Sequence, residues 1–277
     1  MSVLITGGKG QLGMDAAEVF AATHEVIACG RDELDITDRQ AVAALFAAIK
    51  PEIVIHCAAY TAVDKAEEDE DGAYLVNAIG TQNVALAAQK VGAKLCCIST
   101  DYVFDGTSDH PYAEQDSPNP INVYGKTKLA GERLAAASCA KLFTVRTSWV
   151  YGRHGNNFVK TMLRLAETQK PLSVVDDQIG SPTYTKDLAV FLAALTATER
   201  YGVYHVTNSG ACSWYEFACA IFAESGLKVD VRPCKTADFP RPARRPRFSV
   251  LAHREIRRRG FNDLRHWRTA LREFLHG

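Results

Sequence analysis

No stretch of the 277 residues is apolar over the ~20 positions that a membrane-spanning helix needs, so no membrane span is expected. Net charge is missing as well, since Lys plus Arg total 32 and Asp plus Glu total 32. A chain without an overall field has no general hold on DNA, RNA or an anionic membrane, and nucleic acid is not an expected partner. The densest basic patch is Arg241, Arg244, Arg245 and Arg247, followed by Arg254, Arg257, Arg258 and Arg259. It reads as a solvated face from which an arginine could meet a substrate phosphate. Metal-type cysteine spacing is also lacking: the eight cysteines include no C-x-x-C pair, and no metal site is expected. Cys29, Cys57, Cys96 and Cys97 lie in apolar runs, where a thiol behaves as a small hydrophobe. The chain opens directly on Ser2-Val3-Leu4-Ile5-Thr6, with no basic region or cleavage site ahead of it, which points to a reduced, cytoplasmic setting.

What is present is an ordinary folding composition, 47% hydrophobic and 23% charged, enough for one large domain or a main domain with a smaller one. Short apolar runs alternate with longer stretches of helical period. Strands are expected at 2–6, 25–29, 53–57, 94–100 and 142–146, and helices at 11–22, 38–49, 71–91 and 123–137. Strands separated by helices of this length form right-handed βαβ units, hence an α/β fold with a Rossmann doubly wound parallel sheet. After Trp149 the alternation loosens. Helices are expected near 158–168, 185–198, 214–225 and 262–274, a strand at 203–206, and a loop through the Pro/Arg-rich 232–247. The chain thus divides into an NAD(P)-binding Rossmann domain at 1–148 and, at 149–277, a smaller C-terminal α/β substrate-binding lobe interleaved with late Rossmann elements.

Thr6-Gly7-Gly8-Lys9-Gly10-Gln11-Leu12-Gly13 sits where the first strand turns into the first helix. Gly7, Gly10 and Gly13 have the spacing a dinucleotide turn uses: positive φ, close approach of backbone to pyrophosphate, and tight packing of helix on sheet. The helix N-terminus then offers free N–H groups to the phosphates. The second strand ends in Gly30-Arg31-Asp32. An acid near this point suits the ribose of NADH and an arginine suits the 2′-phosphate of NADPH. Arg31 favours NADPH, with NADH as a substitute.

Only Tyr124 among the tyrosines has a lysine four residues on, Lys128, which puts the two side chains on one helical face. A phenol is a reluctant acid–base group, and a neighbouring ammonium is expected to lower its pKa. The fourth strand ends in Ser99-Thr100-Asp101-Tyr102, and a hydroxyl at the carboxyl end of a parallel strand faces the ligand crevice. Thr100, Tyr124 and Lys128 together make a carbonyl-reducing site, with Tyr124 as proton donor to the developing alkoxide.

These segments resemble the extended short-chain dehydrogenase/reductase family, and within it the branch of reductases acting on dTDP-4-dehydrorhamnose. The resemblance runs in order along nearly the whole chain. It is carried by Gly10–Gly13, Leu34–Thr37, Ala58–Glu67, Ser99–Gly106, Val123–Glu132, Arg146–Gly152 and Asp177–Thr183. It implies that Gly10, Gln11 and Leu12 line the pyrophosphate and that Asp35 and Ile36 lie near the adenine. Ala58, Ala59 and Tyr60 would flank the nicotinamide half, and Tyr124 and Lys128 would hold its ribose. Thr100, Asp101, Tyr102 and Trp149 would contact a nucleotide-sugar substrate, and Asn77 would either support the site's backbone or face solvent. The resemblance also implies a homodimer. Related sugar dehydratases carry Thr-Asp-Glu where this chain has Thr100-Asp101-Tyr102; without that carboxylate base, ketone reduction fits better than dehydration.

Two other readings share these features. One is another nucleotide-sugar reductase or an epimerase, which would recycle its coenzyme without net consumption. The other is a non-catalytic NADP-binding regulatory subunit of the methionine adenosyltransferase type, against which the complete Thr100, Tyr124 and Lys128 set argues. The coenzyme assignment has its own measurement: Arg31→Ala should weaken activity with NADPH more than with NADH, and equal losses would remove Arg31 from the 2′-phosphate site.

Overall fold

The computed structural model of the protein describes residues 2–168 and 170–277. Strand alternation decides its layering. In β1 (Ser2–Thr6) Val3 and Ile5 point to one side and Leu4 to the other, and all three are buried. The same alternation repeats in β3 (Ile53–His56) and β4 (Lys94–Thr100), where Ile53, Ile55 and Cys96 share one core and Val54, Leu95 and Cys97 share the second. A strand apolar on both faces needs helices on both faces. Helix α1 (Gln11–Ala21) and the helix Thr185–Thr196 cover the first side. On the second side lie α2 (Arg39–Ile49), α3 (Thr81–Val91) and α4 (Val123–Ser138).

With β2 (Glu25–Cys29), β5 (Leu142–Thr147) and β6 (Gly202–His205), the sheet has six strands in the order β6-β5-β4-β3-β1-β2. All of its pairings are parallel. The order reverses between β1 and β3, and in a doubly wound sheet that switch point, at the carboxyl ends, is where a ligand crevice opens.

Several elements depart from the sequence expectation. The helix anticipated over 71–91 is interrupted. Glu70–Tyr74 is α-helical, Leu75–Gly80 widens into a π-helical turn, and α3 follows. The expected loop at 232–247 begins inside a strand, Val231–Cys234, paired parallel with Leu172–Val175. The last helix starts later than its periodicity indicates, at Trp267, because Leu264–His266 pairs as a short strand with Asn208–Ser209. A third core, built from Tyr151, Val159, Tyr184, Phe217, Trp267 and their neighbours, lies in the region after Trp149.

One charged pair sits inside the main sheet. Arg146 on β5 donates to both carboxylate oxygens of Glu132 on α4, at 2.7 Å from Nη2 and 3.0 Å from Nε, with both side chains buried. Ser99 donates to the same carboxylate. Arg146→Met would leave that carboxylate buried without its cation. The expected loss is roughly 3–5 kcal/mol in urea unfolding, most of it recovered in the Arg146→Met/Glu132→Leu double variant.

Candidate active site

The turn after β1 is shaped by contacts that admit no side chain. Gly7 has φ +69°, and a Cβ there would lie 2.6 Å from the Ala58 nitrogen. A Cβ on Gly13 would lie 2.2 Å from the Gly7 carbonyl oxygen, so α1 packs directly on the turn. Gly10 is the N-cap of α1 and supplies no side-chain cap, and the first turn of the helix holds no acid. The N–H groups of Gln11, Leu12 and Gly13 are therefore the helix's open donors. Gln11 is tied to the C-terminal region, its Oε1 accepting from Asn157 Nδ2 at 3.0 Å.

At the end of β2, Arg31 is exposed. The carboxylate closest to the backbone there is Glu33, which accepts from the Gly30 N–H at 2.9 Å and pairs with Lys9. Asp32 also reaches Lys9, at 3.8 Å, and is exposed. Asp35 accepts from the Thr37 N–H at 2.9 Å and from its hydroxyl at 2.7 Å, bonds that hold its carboxyl below the usual range. Ile36 packs against Gly80, where a Cβ would meet its Cδ1 at 2.7 Å, and Asn83 donates to the Ile36 carbonyl at 3.0 Å.

The segment after β3 is held by Asn77. Its Oδ1 accepts from the Tyr60 N–H at 2.8 Å, and its Nδ2 donates to the Tyr60 carbonyl and to Thr127 Oγ1, each at 3.1 Å. Asn77 is buried, so of the two sequence readings the backbone-supporting one is correct. The π-helical turn aims this amide, and Gly131 of α4 permits the approach: a Cβ there would lie 2.1 Å from the Asn77 carbonyl oxygen. The same turn closes a buried relay that no motif flagged. Thr81 donates to the Asn77 carbonyl at 2.8 Å, and His56 is hydrogen-bonded to Thr81 at 3.0 Å and to Thr6 at 2.6 Å. Burial, with the Lys128 charge nearby, drives the His56 pKa down to about 3, so this imidazole stays neutral.

Thr100 ends β4 and Tyr124 is the second residue of α4, whose N-cap Asn122 accepts from the Gly125 N–H at 2.7 Å. Gly125 is required there because a Cβ would lie 2.1 Å from the Tyr102 carbonyl oxygen. The helix start is thereby pressed against the end of β4. The Tyr102 and Tyr124 rings meet edge to face, centroids 5.9 Å apart. Burial pushes the Tyr124 phenol up to about 12, with the Thr100 hydroxyl working in the opposite direction. This reverses the sequence expectation for Tyr124. The Lys128 ammonium is buried and donates to the Ile98 carbonyl at 2.7 Å, and burial lowers its own pKa. Asp101 is buried beside Thr100, which donates to it at 3.1 Å, and burial raises the carboxyl to about 7.

Arg245 of the basic patch approaches Tyr102. It is half-buried, ion-paired with Asp64, and its charge opposes the upward shift that burial imposes on Tyr102. Arg257 and Arg258, in contrast, form exposed pairs with Asp263 and Glu255.

Trp149 lies two residues beyond Thr147, which pairs in register with Thr100. Its φ is +47°, a conformation that costs a bulky residue about 1–3 kcal/mol and persists only where neighbours enforce it. They do so here: Ser148 donates to the Ser181 carbonyl at 2.6 Å, and the Thr183 N–H donates to the Trp149 carbonyl at 3.2 Å. The indole stacks on Trp214, a residue that sequence reasoning did not single out. The expected residues are thus drawn to the carboxyl edge of β1–β5. Contacts join Gly7 to Ala58, Tyr60 to α4 through Asn77, and Tyr102 to Tyr124.

Known proteins match this chain over its whole length. The model of the family described as RmlD substrate binding domain matches residues 1–277. A spore coat polysaccharide biosynthesis protein of Bacillus subtilis is 48% identical over 274 residues, 99% of this chain and 96% of that one. A dTDP-4-dehydrorhamnose reductase of Aggregatibacter actinomycetemcomitans is 43% identical over 98% of this chain and 97% of its own. The crystal structure of dTDP-4-dehydrorhamnose reductase from Bacillus anthracis in complex with NADP superposes with a TM-score of 0.97. It is 48% identical and covers 99% of this chain and 98% of that one. The chain belongs to the RmlD substrate-binding-domain family, in which dTDP-4-dehydrorhamnose reductases are found.

Proposed function

We propose that the protein reduces the 4-keto group of dTDP-4-dehydro-6-deoxy-L-mannose to give dTDP-L-rhamnose, using NADPH, with NADH able to substitute. The observation that carries this reading is that the first turn of α4, with Tyr124, is pressed against the end of β4, with Thr100, through Gly125 and the Tyr102 ring. The full-length match to reductases of this substrate, one of them solved with NADP, supports the same assignment.

The glycine turn fits a dinucleotide on its own chemistry. At Gly7 and Gly13 any Cβ would collide with backbone, and α1 keeps an uncapped N-terminus free of acids. Gly7, Gly10, Gln11, Leu12 and Gly13 would hold the pyrophosphate, Arg31 the 2′-phosphate, and Asp35 and Ile36 the adenosine. Ala58, Ala59, Tyr60, Tyr124 and Lys128 would hold the nicotinamide half. Bound there, the coenzyme supplies the hydride for the carbonyl carbon. Tyr124 supplies the proton to the carbonyl oxygen, and its raised pKa means the phenol enters turnover carrying that proton. Thr100 would turn its hydroxyl proton from Asp101 to the same oxygen, steadying the charge that develops on it. Lys128 lies four residues on along the Tyr124 face of α4, and its buried ammonium would favour the phenolate once the proton has left. Asp101, Tyr102 and Trp149 orient the sugar, within a lobe that begins at about Trp149. The setting proposed is a homodimer in the cytoplasm; the eight cysteines, all free, suit a reducing compartment.

Tyr124→Phe should lower kcat by about 10²–10⁴-fold while leaving coenzyme affinity within a small factor. The assay is oxidation of NADPH with dTDP-4-dehydro-L-rhamnose, run beside its unepimerised 4-keto-6-deoxyglucose counterpart. Stoichiometric coenzyme consumption separates reduction from epimerisation, and an unchanged kcat in the variant refutes the proton-donor role. A second outcome concerns pH. A phenol with a raised pKa keeps its proton through neutrality and loses it only in alkali. The ultraviolet alkaline titration of the coenzyme-free protein minus that of Tyr124→Phe should therefore show one tyrosine ionising well above pH 10, the ordinary value.

A further inference from the structure

The glycine turn has a neighbour outside the Rossmann elements. The loop Gly152–Asn157, which follows Tyr151 of the third core, lies along one face of α1. Gln11, in the first turn of that helix, accepts from Asn157 Nδ2 at 3.0 Å, and a Cβ on Gly155 would lie 3.0 Å from the Gln11 Cγ. Asp15 is on the same face, one turn further along. His154 Nε2 is 3.6 Å from one of its carboxylate oxygens, and a Cβ on Gly152 would lie 3.1 Å from the other.

The loop is also held from its own side. Asn157 is the N-cap of the helix Phe158–Ala166, its Oδ1 accepting from the Lys160 N–H at 3.0 Å. Its Nδ2 donates to the Gly152 carbonyl at 2.9 Å as well as to Gln11. Lys160 Nζ donates to the Arg153 carbonyl at 2.6 Å and to the Gly155 carbonyl at 3.0 Å. With its oxygen on Lys160 and one Nδ2 hydrogen on Gly152, the Asn157 amide cannot turn over, and its second hydrogen is the one that Gln11 receives. Gln11 must therefore answer with its oxygen.

We infer that Asn157 is a positioning residue of the coenzyme site: by holding the Gln11 amide against the loop it keeps the first N–H groups of α1 free for the pyrophosphate. The inference rests on the reading of the glycine turn as the dinucleotide site. Gly10 covers none of those donors with a side chain, so any acceptor within reach can take them. A glutamine in the first turn carries such an acceptor on a long, flexible stem, and Glu or Gln side chains satisfy N-terminal N–H groups in this way in capping boxes. Bound to Asn157, the Gln11 oxygen is withdrawn from that competition. The coenzyme site then extends beyond residues 1–148 to a loop of the C-terminal lobe.

The test measures NADPH and NADH affinity by fluorescence titration of the protein without sugar, beside steady-state kinetics. Asn157→Ser is the informative variant, since serine keeps the helix cap, adds no charge and is too short to reach Gln11. Its Kd should rise about three- to tenfold for both coenzymes alike, the scale of a single competing hydrogen bond at a group they share. Its kcat at saturating coenzyme should stay within about twofold. In the Gln11→Ala background the same substitution should leave Kd where Gln11→Ala alone puts it, because the side chain it would release is gone.

A parental Kd in Asn157→Ser, or the full rise repeated in the Gln11→Ala background, overturns the inference. If the parent itself binds neither coenzyme, the dinucleotide reading fails and the inference goes with it. Should Asn157→Ser not fold, Gly155→Ala decides, because its methyl would press on the Gln11 stem while the Asn157 amide stays. A raised Kd that vanishes in the Gln11→Ala background supports the positioning role. An unchanged Kd, or a rise that persists in that background, refutes it.

Discussion

A buried side-chain amide has four hydrogen-bonding positions and no water to fill them, so it must find protein partners or destabilise the fold. Asn77 meets that requirement by reaching two separate elements, the backbone of Tyr60 after β3 and the hydroxyl of Thr127 in α4. Thr127 lies between Tyr124 and Lys128, so the demand of one amide sets the distance between the segment assigned to the nicotinamide half and the helix assigned to catalysis. The π-helical turn at Leu75–Gly80 is what points Asn77 inward, and its cost is accepted because a regular helix would aim this residue elsewhere. His56, Thr6 and Thr81 extend the same network down to the end of β1, where the glycine turn begins.

Burial also sets the protonation states around the crevice. Tyr124 is held as a neutral phenol, His56 as a neutral imidazole, and Asp101 close to the boundary between acid and carboxylate. For a reductase this is a useful starting state, because the donor carries its proton when the carbonyl arrives. The charge that is paired, Arg146 with Glu132, lies at the carboxyl half of the sheet and holds α4 against β5. The mechanism proposed therefore draws on a neutral donor pair set on a frame braced by the buried Arg146–Glu132 pair.

Much of this was legible in the residues. Alternating apolar runs foretold the parallel sheet, and Gly7, Gly10 and Gly13 foretold a tightly packed turn after β1. The spacing of Tyr124 and Lys128 placed both on one helical face. Other features were not legible. The wide turn inside 70–91 has no local signature, because its cause is a contact between Asn77 and residues far away in sequence. The strand at Val231–Cys234 lay hidden in a Pro/Arg-rich stretch, since its partner is Leu172–Val175. Trp214 attracted no notice because one tryptophan at the start of an apolar helix looks like core.

The sequence alone determined the sheet, the order of its elements and the identity of the hydroxyl, phenol and ammonium of the candidate site, because periodicity and short-range spacing are local properties of a chain. Only the tertiary structure decided the direction of the Tyr124 shift, the partner of the Lys128 ammonium and the stacking of Trp149 on Trp214. Desolvation and ring contact depend on what surrounds a group in space, and those surroundings come from segments that sequence order keeps apart.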